Sequence, residues 1–219
     1  MPNEKGPPKR NRLNRDRVLD AGIALADAEG LEVLTMRRLG RELGVEAMAL
    51  YNHVANKEDL LDGMLDRVAA EIEVSDAGSD WRDQARRRAI SAHTALLRHP
   101  WAAWLWTGSI KLGPARMQYL DDALRNLREA GFAPELLDRA FHTIENHIVG
   151  HALQALGFPL DRNEMTEIGG RFLEAFPGDR FPDLEAHIRH HLEHQDNGEG
   201  FEFGLDLILD GLERLRARS

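Results

Sequence analysis

The stretch "TMRRLGRELGVEAMALYNHVANKEDLL", residues 35–61, decides the fold. Thr35 is an N-cap residue placed directly before a helical pattern in which Leu39 and Leu43 share one face. Gly44 stops that pattern, because glycine enters the left-handed region that ends helices at little steric cost. A very short helical segment follows, and Asn56 then caps a longer one whose Leu60, Leu61, Met64, Leu65 and Val68 form a stripe. Leu39, Leu43, Val45, Leu50 and Val54 can pack inward together, which predicts two short helices joined by a glycine turn and braced by a third. Arg37, Arg38, Ala47, Met48, Ala49, Tyr51, His53 and Lys57 are left at or near the outer rim.

Upstream, a helix is expected from Asn14 to about Glu29, with Val18, Ala21, Leu25 and Ala28 on its inner face and Gly30 as its stop; Leu31 and Val33 follow as packing residues. Downstream, "VSDAGSD" (74–80) reads as a loop. Helices are then expected at about 80–98, from Pro100, at 114–130, at 134–156, once or twice between 161 and 195, and at 201–216. Pro100, Pro114 and Pro134 stand where helices start, and Gly131 and Gly157 where they stop. Breaks at Gly169–Gly170, Pro177–Gly178 and Asn197–Gly198 make the stretch 160–200 the least regular and, by expectation, the most mobile. Apolar residues recur at three- and four-residue spacing almost throughout, so the fold class is all-α. The organisation read from this is a basic arm (1–13), a helix-turn-helix domain (14–73) and a larger helical domain (80–219).

A chain of 219 residues with 42% hydrophobic and 30% charged side chains can bury a sizeable core. It holds no cysteine, which excludes thiolate catalysis, thiolate metal sites and disulfides. No apolar run reaches the roughly 20 residues needed to cross a bilayer, and the N-terminus lacks the apolar core of a signal peptide, so a cytoplasmic protein without membrane association is expected. The formal net charge is −9 but uneven, +2 over residues 1–57 and −11 over the rest. Such asymmetry points to the N-terminal part as the side that faces a polyanion.

The rim residues fit that partner. Small side chains at the start of the third helix let its backbone approach base edges, and alanine or methionine can touch a thymine methyl group. Arg37 can present a fork to guanine O6 and N7, while Tyr51, His53 and Lys57 suit phosphate oxygens. Lys9, Arg10, Arg12 and Arg15 can follow the backbone or enter a minor groove. Read without further context, the same side chains are also compatible with ordinary solvated charges and a buried tyrosine.

The run "VLDAGIALADAEGLEVLTMRRLGRELGVEAMALYNHVANKEDLLDGMLD" closely resembles the tetracycline-repressor family of bacterial transcriptional regulators. The resemblance implies that Thr35 and Arg37 face DNA from the second helix, that Ala47, Met48 and Ala49 form the base-facing start of the recognition helix, and that Tyr51, His53 and Lys57 contact phosphates. Ala47 and Ala49 lack the polar groups some relatives use there, so base reading is expected to rest on Arg37 and on van der Waals contact. More weakly, "PELLDRAFHTIENHIVGHALQAL" and "FEFGLDLILDGLERL" look like the two helices that pair with their copies in this family. That implies a homodimer, with Phe141, Ile148, Leu205, Ile208 and Leu212 at the interface. The sequence supports this independently: the last helix carries Phe203 and Leu207 on a second apolar face, and Gly150, Gly204 and Gly211 allow close helix approach. Twofold symmetry would then call for a near-palindromic operator in double-stranded DNA.

Relatives of this kind bind a small-molecule effector in the C-terminal domain. His93, Trp104, Met117, His142, Asn146, His147 and His151 are the candidates here, beside Trp101, Trp106, Tyr119, Phe141, Gln154 and Phe158, and each serves a core equally well. His147 and His151, four residues apart, share one helical face and can share a divalent ion, but no acidic partner stands at metalloprotease spacing. His187, His190, His191 and His194 offer a second such face, best read as solvated. No cofactor, no resident metal and no catalytic group are expected. A ligand-responsive repressor is the reading; a histidine-metal hydrolase and a helical adaptor without DNA contact are the alternatives.

Overall fold

The structure, a computed structural model, describes residues 12–73, 80–108, 111–157, 162–175, 180–193 and 199–218. Among these residues every regular element is a helix, in the order α1 (Arg15–Glu29), α2 (Met36–Leu43), α3 (Ala47–Leu50), α4 (Lys57–Ala70), α5 (Trp81–Arg98), α6 (Pro100–Trp106), α7 (Pro114–Glu129), α8 (Pro134–Gly157), α9 (Arg162–Ala175), α10 (Pro182–Glu193) and α11 (Glu199–Arg216). Lys9, Arg10, the loop at 74–79, Phe158, the breaks at 177–178 and 197–198, and His194 lie outside the described residues, as does the side chain of His191.

The helix boundaries follow the caps. Asn14, Thr35 and Asn56 each accept a hydrogen bond from the amide three residues on, which occupies a donor that the first turn would otherwise leave free. Gly44 ends α2 in the left-handed conformation, φ 67°, and its amide donates back to Arg41 and Gly40.

The chain divides into two compact units. One comprises the residues up to Glu71 together with Arg98–Met117; the other comprises Ile72–Leu97 together with the residues from Gln118 on. The first unit therefore takes in α6 and the first turn of α7, which follow α5 in sequence. Its core is Val18, Leu19, Leu25, Leu34, Leu39, Leu50, Val54, Leu60, Met64, Leu65, Val68, Trp101 and Trp106. Three packing expectations need correction. Ala28 is exposed, because the inward face of α1 runs through Val18, Gly22, Leu25 and Ala26. Leu34 rather than Val33 fills the core after α1. Leu43 and Val45 are only half-buried.

In the second unit α8 and α11 pack together, and Phe201, Leu205, Leu209 and Leu212 of α11 are buried beside Ile144, Ile148 and Ala152 of α8. Polar links tie α5 to the same helix: Arg82 pairs with Asp210, Arg86 with Glu202 and Asp206, and the Trp81 indole donates to Glu213 at 2.9 Å.

Candidate functional site

In the first unit, α2 and α3 present one continuous outer face. Leu39 and Leu50 are fully buried and anchor the two helices from within. Thr35 is exposed and its hydroxyl oxygen accepts from Arg38 N at 3.1 Å, leaving its proton free to donate outward. Arg37 and Arg38 are neighbours with different fates. Arg38 is held by Glu29 at 2.7 Å and Glu42 at 2.8 Å, which raise its pKa, whereas Arg37 is exposed. Arg38 is thus a structural residue of the rim.

At the tip Met48 is 74% exposed, flanked by half-buried Ala47 and Ala49. Tyr51 and Lys57 are exposed and His53 is half-buried. The predicted set of Thr35, Arg37, Ala47, Met48, Ala49, Tyr51, His53 and Lys57 accordingly falls on the two short helices and the turn after them. Helix α3 is one turn long, and His53 and Val54 amides close onto Leu50 O at 2.9 and 3.0 Å.

Arg15 corrects an expectation. It is no part of a free basic arm: its guanidinium donates to both oxygens of Asp59 at 2.9 Å and to the carbonyl of His53 at 2.9 Å. Asp59 also accepts from Ala55 N at 2.9 Å, and this set of donors holds its carboxyl well below the usual carboxylate range. The exit of α3 is thereby fastened to the start of α1. The pair is 44 residues apart in sequence, so no local pattern could signal it.

The second unit brings together only part of the predicted effector set. His93 is buried, its Nε2 lies 3.0 Å from His151 Nδ1, and its ring stacks on Phe201 with centroids 3.8 Å apart. His147 stacks on the same phenyl ring at 4.9 Å and donates from Nε2 to Phe201 O at 2.9 Å. Burial, together with the neighbouring His151 and His147, pushes the His93 imidazole down to about 4. His147 and His151 therefore face Phe201 and His93, and among the described residues no three potential ligands gather as a metal site. His142 and Asn146 are exposed, and Trp104, 65% exposed, and Met117 belong to the first unit.

Sequence reading named Tyr119 but missed its polar partners Arg88 and Glu145. Arg88 of α5 is buried and its Nη1 has no hydrogen-bond partner; Tyr119 of α7, fully enclosed, donates to Glu145 of α8. Burial lowers the Arg88 pKa, and burial together with Glu145 raises that of Tyr119 well above its ordinary value. Arg88 sits in the run "RRR" (86–88), where nothing local marks which arginine points inward.

The predicted interface residues differ in their burial within the protomer. Ile148, Leu205 and Leu212 are buried within the protomer and Ile208 and Phe141 are half-buried. The side chains that α11 leaves outward are Phe203, 68% exposed, Leu207, 57% exposed, and Leu215. Of the glycines, Gly204 sits against His147, whereas Gly150 and Gly211 face open space.

Residues 18–64 match the family described as bacterial regulatory proteins, tetR family, and residues 75–216 match the tetracyclin repressor-like C-terminal domain. A transcriptional repressor of Streptomyces coeruleorubidus, DrrR1, is 34% identical over 94% of this chain and 79% of its own length. Among solved structures, the Streptomyces coelicolor protein ActR in complex with actinorhodin aligns with a TM-score of 0.77 at 30% identity, covering 94% of this chain and 99% of ActR. BioQ with its double-stranded DNA operator aligns at 0.65 and 26% identity, covering 92% of this chain and 98% of BioQ.

Proposed function

As a member of the tetR family of bacterial regulatory proteins, to which this chain belongs, the protein is a ligand-responsive DNA-binding transcriptional repressor, and we propose that it grips a near-palindromic operator as a homodimer and releases it when a small molecule occupies the second unit. The observation that carries the DNA assignment is the contrast at the rim of α2 and α3. Arg38 is bound by two carboxylates, while Arg37, Met48, Tyr51 and Lys57 project outward. In this reading Ala47, Met48 and Ala49 enter the major groove and Arg37 supplies the base-specific hydrogen bonds. Thr35, Tyr51, His53 and Lys57 set the register on phosphates. BioQ, solved with its double-stranded DNA operator, supports duplex DNA as the partner.

The effector reading is supported by ActR, whose complex holds actinorhodin, and by Arg88, a buried guanidinium whose Nη1 lacks an acceptor. A buried unpaired donor is costly and is relieved by any ligand that brings an oxygen to it. No membrane-crossing helix exists among the described residues, and family members act as regulators rather than catalysts.

The test is selection of a duplex from random DNA, followed by titration of wild type, Arg37→Ala and Tyr51→Ala at one salt concentration. Loss of a bidentate base contact, about 1–3 kcal/mol, corresponds to roughly 5- to 150-fold weaker binding for Arg37→Ala. Equal affinity of both variants and wild type would sink the DNA assignment of these residues.

A further inference from the structure

The arginines of α5 meet two different environments. Arg82 pairs with Asp210, and Arg86 with Glu202 and Asp206, so both find carboxylates on α11. Arg88, on the same helix, is 4% exposed; its Nη1 is buried without an acceptor, and the residue forms no ion pair among the described residues. Its own helix cannot supply one. The buried neighbours of Arg88 along α5 are Ala85, Ala89 and Ala92, and a methyl group fills little space and accepts no hydrogen bond.

Nor does the nearby acid serve it. The carboxylate whose field reaches Arg88, that of Glu145 on α8, accepts instead from the Tyr119 hydroxyl of α7. Burial and Glu145 together raise the Tyr119 pKa well above its ordinary value, so the phenol keeps its proton and goes on donating to the carboxylate. On Arg88 itself burial is the largest influence, and it lowers the pKa despite the opposing pull of Tyr119 and Glu145. A lysine or histidine placed there could shed its proton, but a guanidinium stays charged. The positive charge therefore remains in the interior, and an acceptor brought to it is what relieves it. A neutral carbonyl oxygen would satisfy the donor and leave the charge. A carboxylate satisfies both, and charge-assisted hydrogen bonds are roughly twice as strong as neutral ones.

We propose that the small molecule received by the second unit is an organic acid whose carboxylate lies on Arg88 Nη1, beside the Tyr119–Glu145 pair. This rests on the effector reading above and adds to it the chemical class of the ligand. Arg88, Tyr119 and Glu145 come from α5, α7 and α8 and all belong to the second unit, so the site is complete within it.

The experiment is a thermal-shift screen of the full-length protein, at neutral pH and fixed ionic strength, against a panel of mono- and polycyclic aromatic carboxylates, each beside its own carboxamide. Calorimetric titration of the pairs that raise the melting temperature follows. Acid and amide share a ring system and differ in the charge offered to Arg88. In wild type, the acids that bind do so about tenfold or more tightly than their amides. In Arg88→Met, which keeps the length of the side chain and drops both charge and donor, acid and amide bind within about threefold of one another. Arg88→Gln, which keeps a donor and drops the charge, supplies the same result if Arg88→Met fails to fold. Acids and amides that bind wild type alike overturn the proposal. So do amides that bind where their acids do not, or a preference for the acid that survives in the folded variant. If acids, amides and an unbiased compound library all leave wild type without a ligand, it is the effector reading that fails, not the choice of class.

Discussion

At the scale of single residues, the sharpest contrasts are between neighbours of the same type. Arg37 and Arg38 are adjacent, but Arg38 is spoken for by Glu29 and Glu42. Arg37→Ala is therefore expected to weaken operator binding with a melting temperature within about a degree of wild type, since exposed substitutions usually change stability by less than 0.5 kcal/mol. Arg38→Ala is expected to lower thermal stability instead, and only slightly, because solvent screens exposed ion pairs. Differential scanning calorimetry beside a binding titration separates the two. His93 gives a pH signature. Its folded form favours the neutral ring, with a pKa of about 4 against an ordinary value of 6.5, so the unfolded chain takes up the proton first. The stabilisation is complete above about 6.5 and is lost as pH falls from there toward 4. Urea midpoints measured from pH 7.5 to 4.5 should fall across that window, and His93→Phe should flatten the part of the slope that His93 supplies.

At the scale of elements, the reading face depends on how tightly α2 turns into α3. Gly44 holds φ 67°, a region costing an L-residue about 1–2 kcal/mol, so Gly44→Ala is expected to destabilise the protein by roughly that amount in chemical denaturation. The helices themselves were legible because their caps are local. Thr35, Asn56, Gly44 and the prolines at 100, 114 and 134 stand where the structure begins or ends its helices. The apolar period of α4 was legible for the same reason. The inner face of α1 was less so, since Ala28 and Ala26 are chemically identical and only the rotation of the helix against α4 decides which is covered.

At the scale of the whole molecule, α11 shows two apolar faces with different duties. Phe201, Leu205, Leu209 and Leu212 close the protomer, whereas Phe203, Leu207 and Leu215 remain outside it. The outer face is the proposed contact between copies. Phe203→Glu with Leu207→Glu is expected to yield a folded monomer in sedimentation velocity, and to lose operator affinity because one reading head remains per particle. Leu205→Glu should instead unfold the protomer, placing an unpaired charge in a fully buried position. A double variant that stays dimeric would assign the interface elsewhere.

By itself the sequence determined the helical class, the helix ends and the residues of the α2–α3 rim, because caps, period and turn glycines act between residues three or four apart. The tertiary structure decided what spacing cannot reach: that Arg15 pairs with Asp59, that His93, His147 and His151 close around Phe201, that Ile148, Leu205 and Leu212 face inward, and that Asp66 accepts from the first turn of α7. Each of these joins groups dozens of residues apart, and their pairing follows from how helices rotate and pack on one another, a property of the folded chain rather than of any local run.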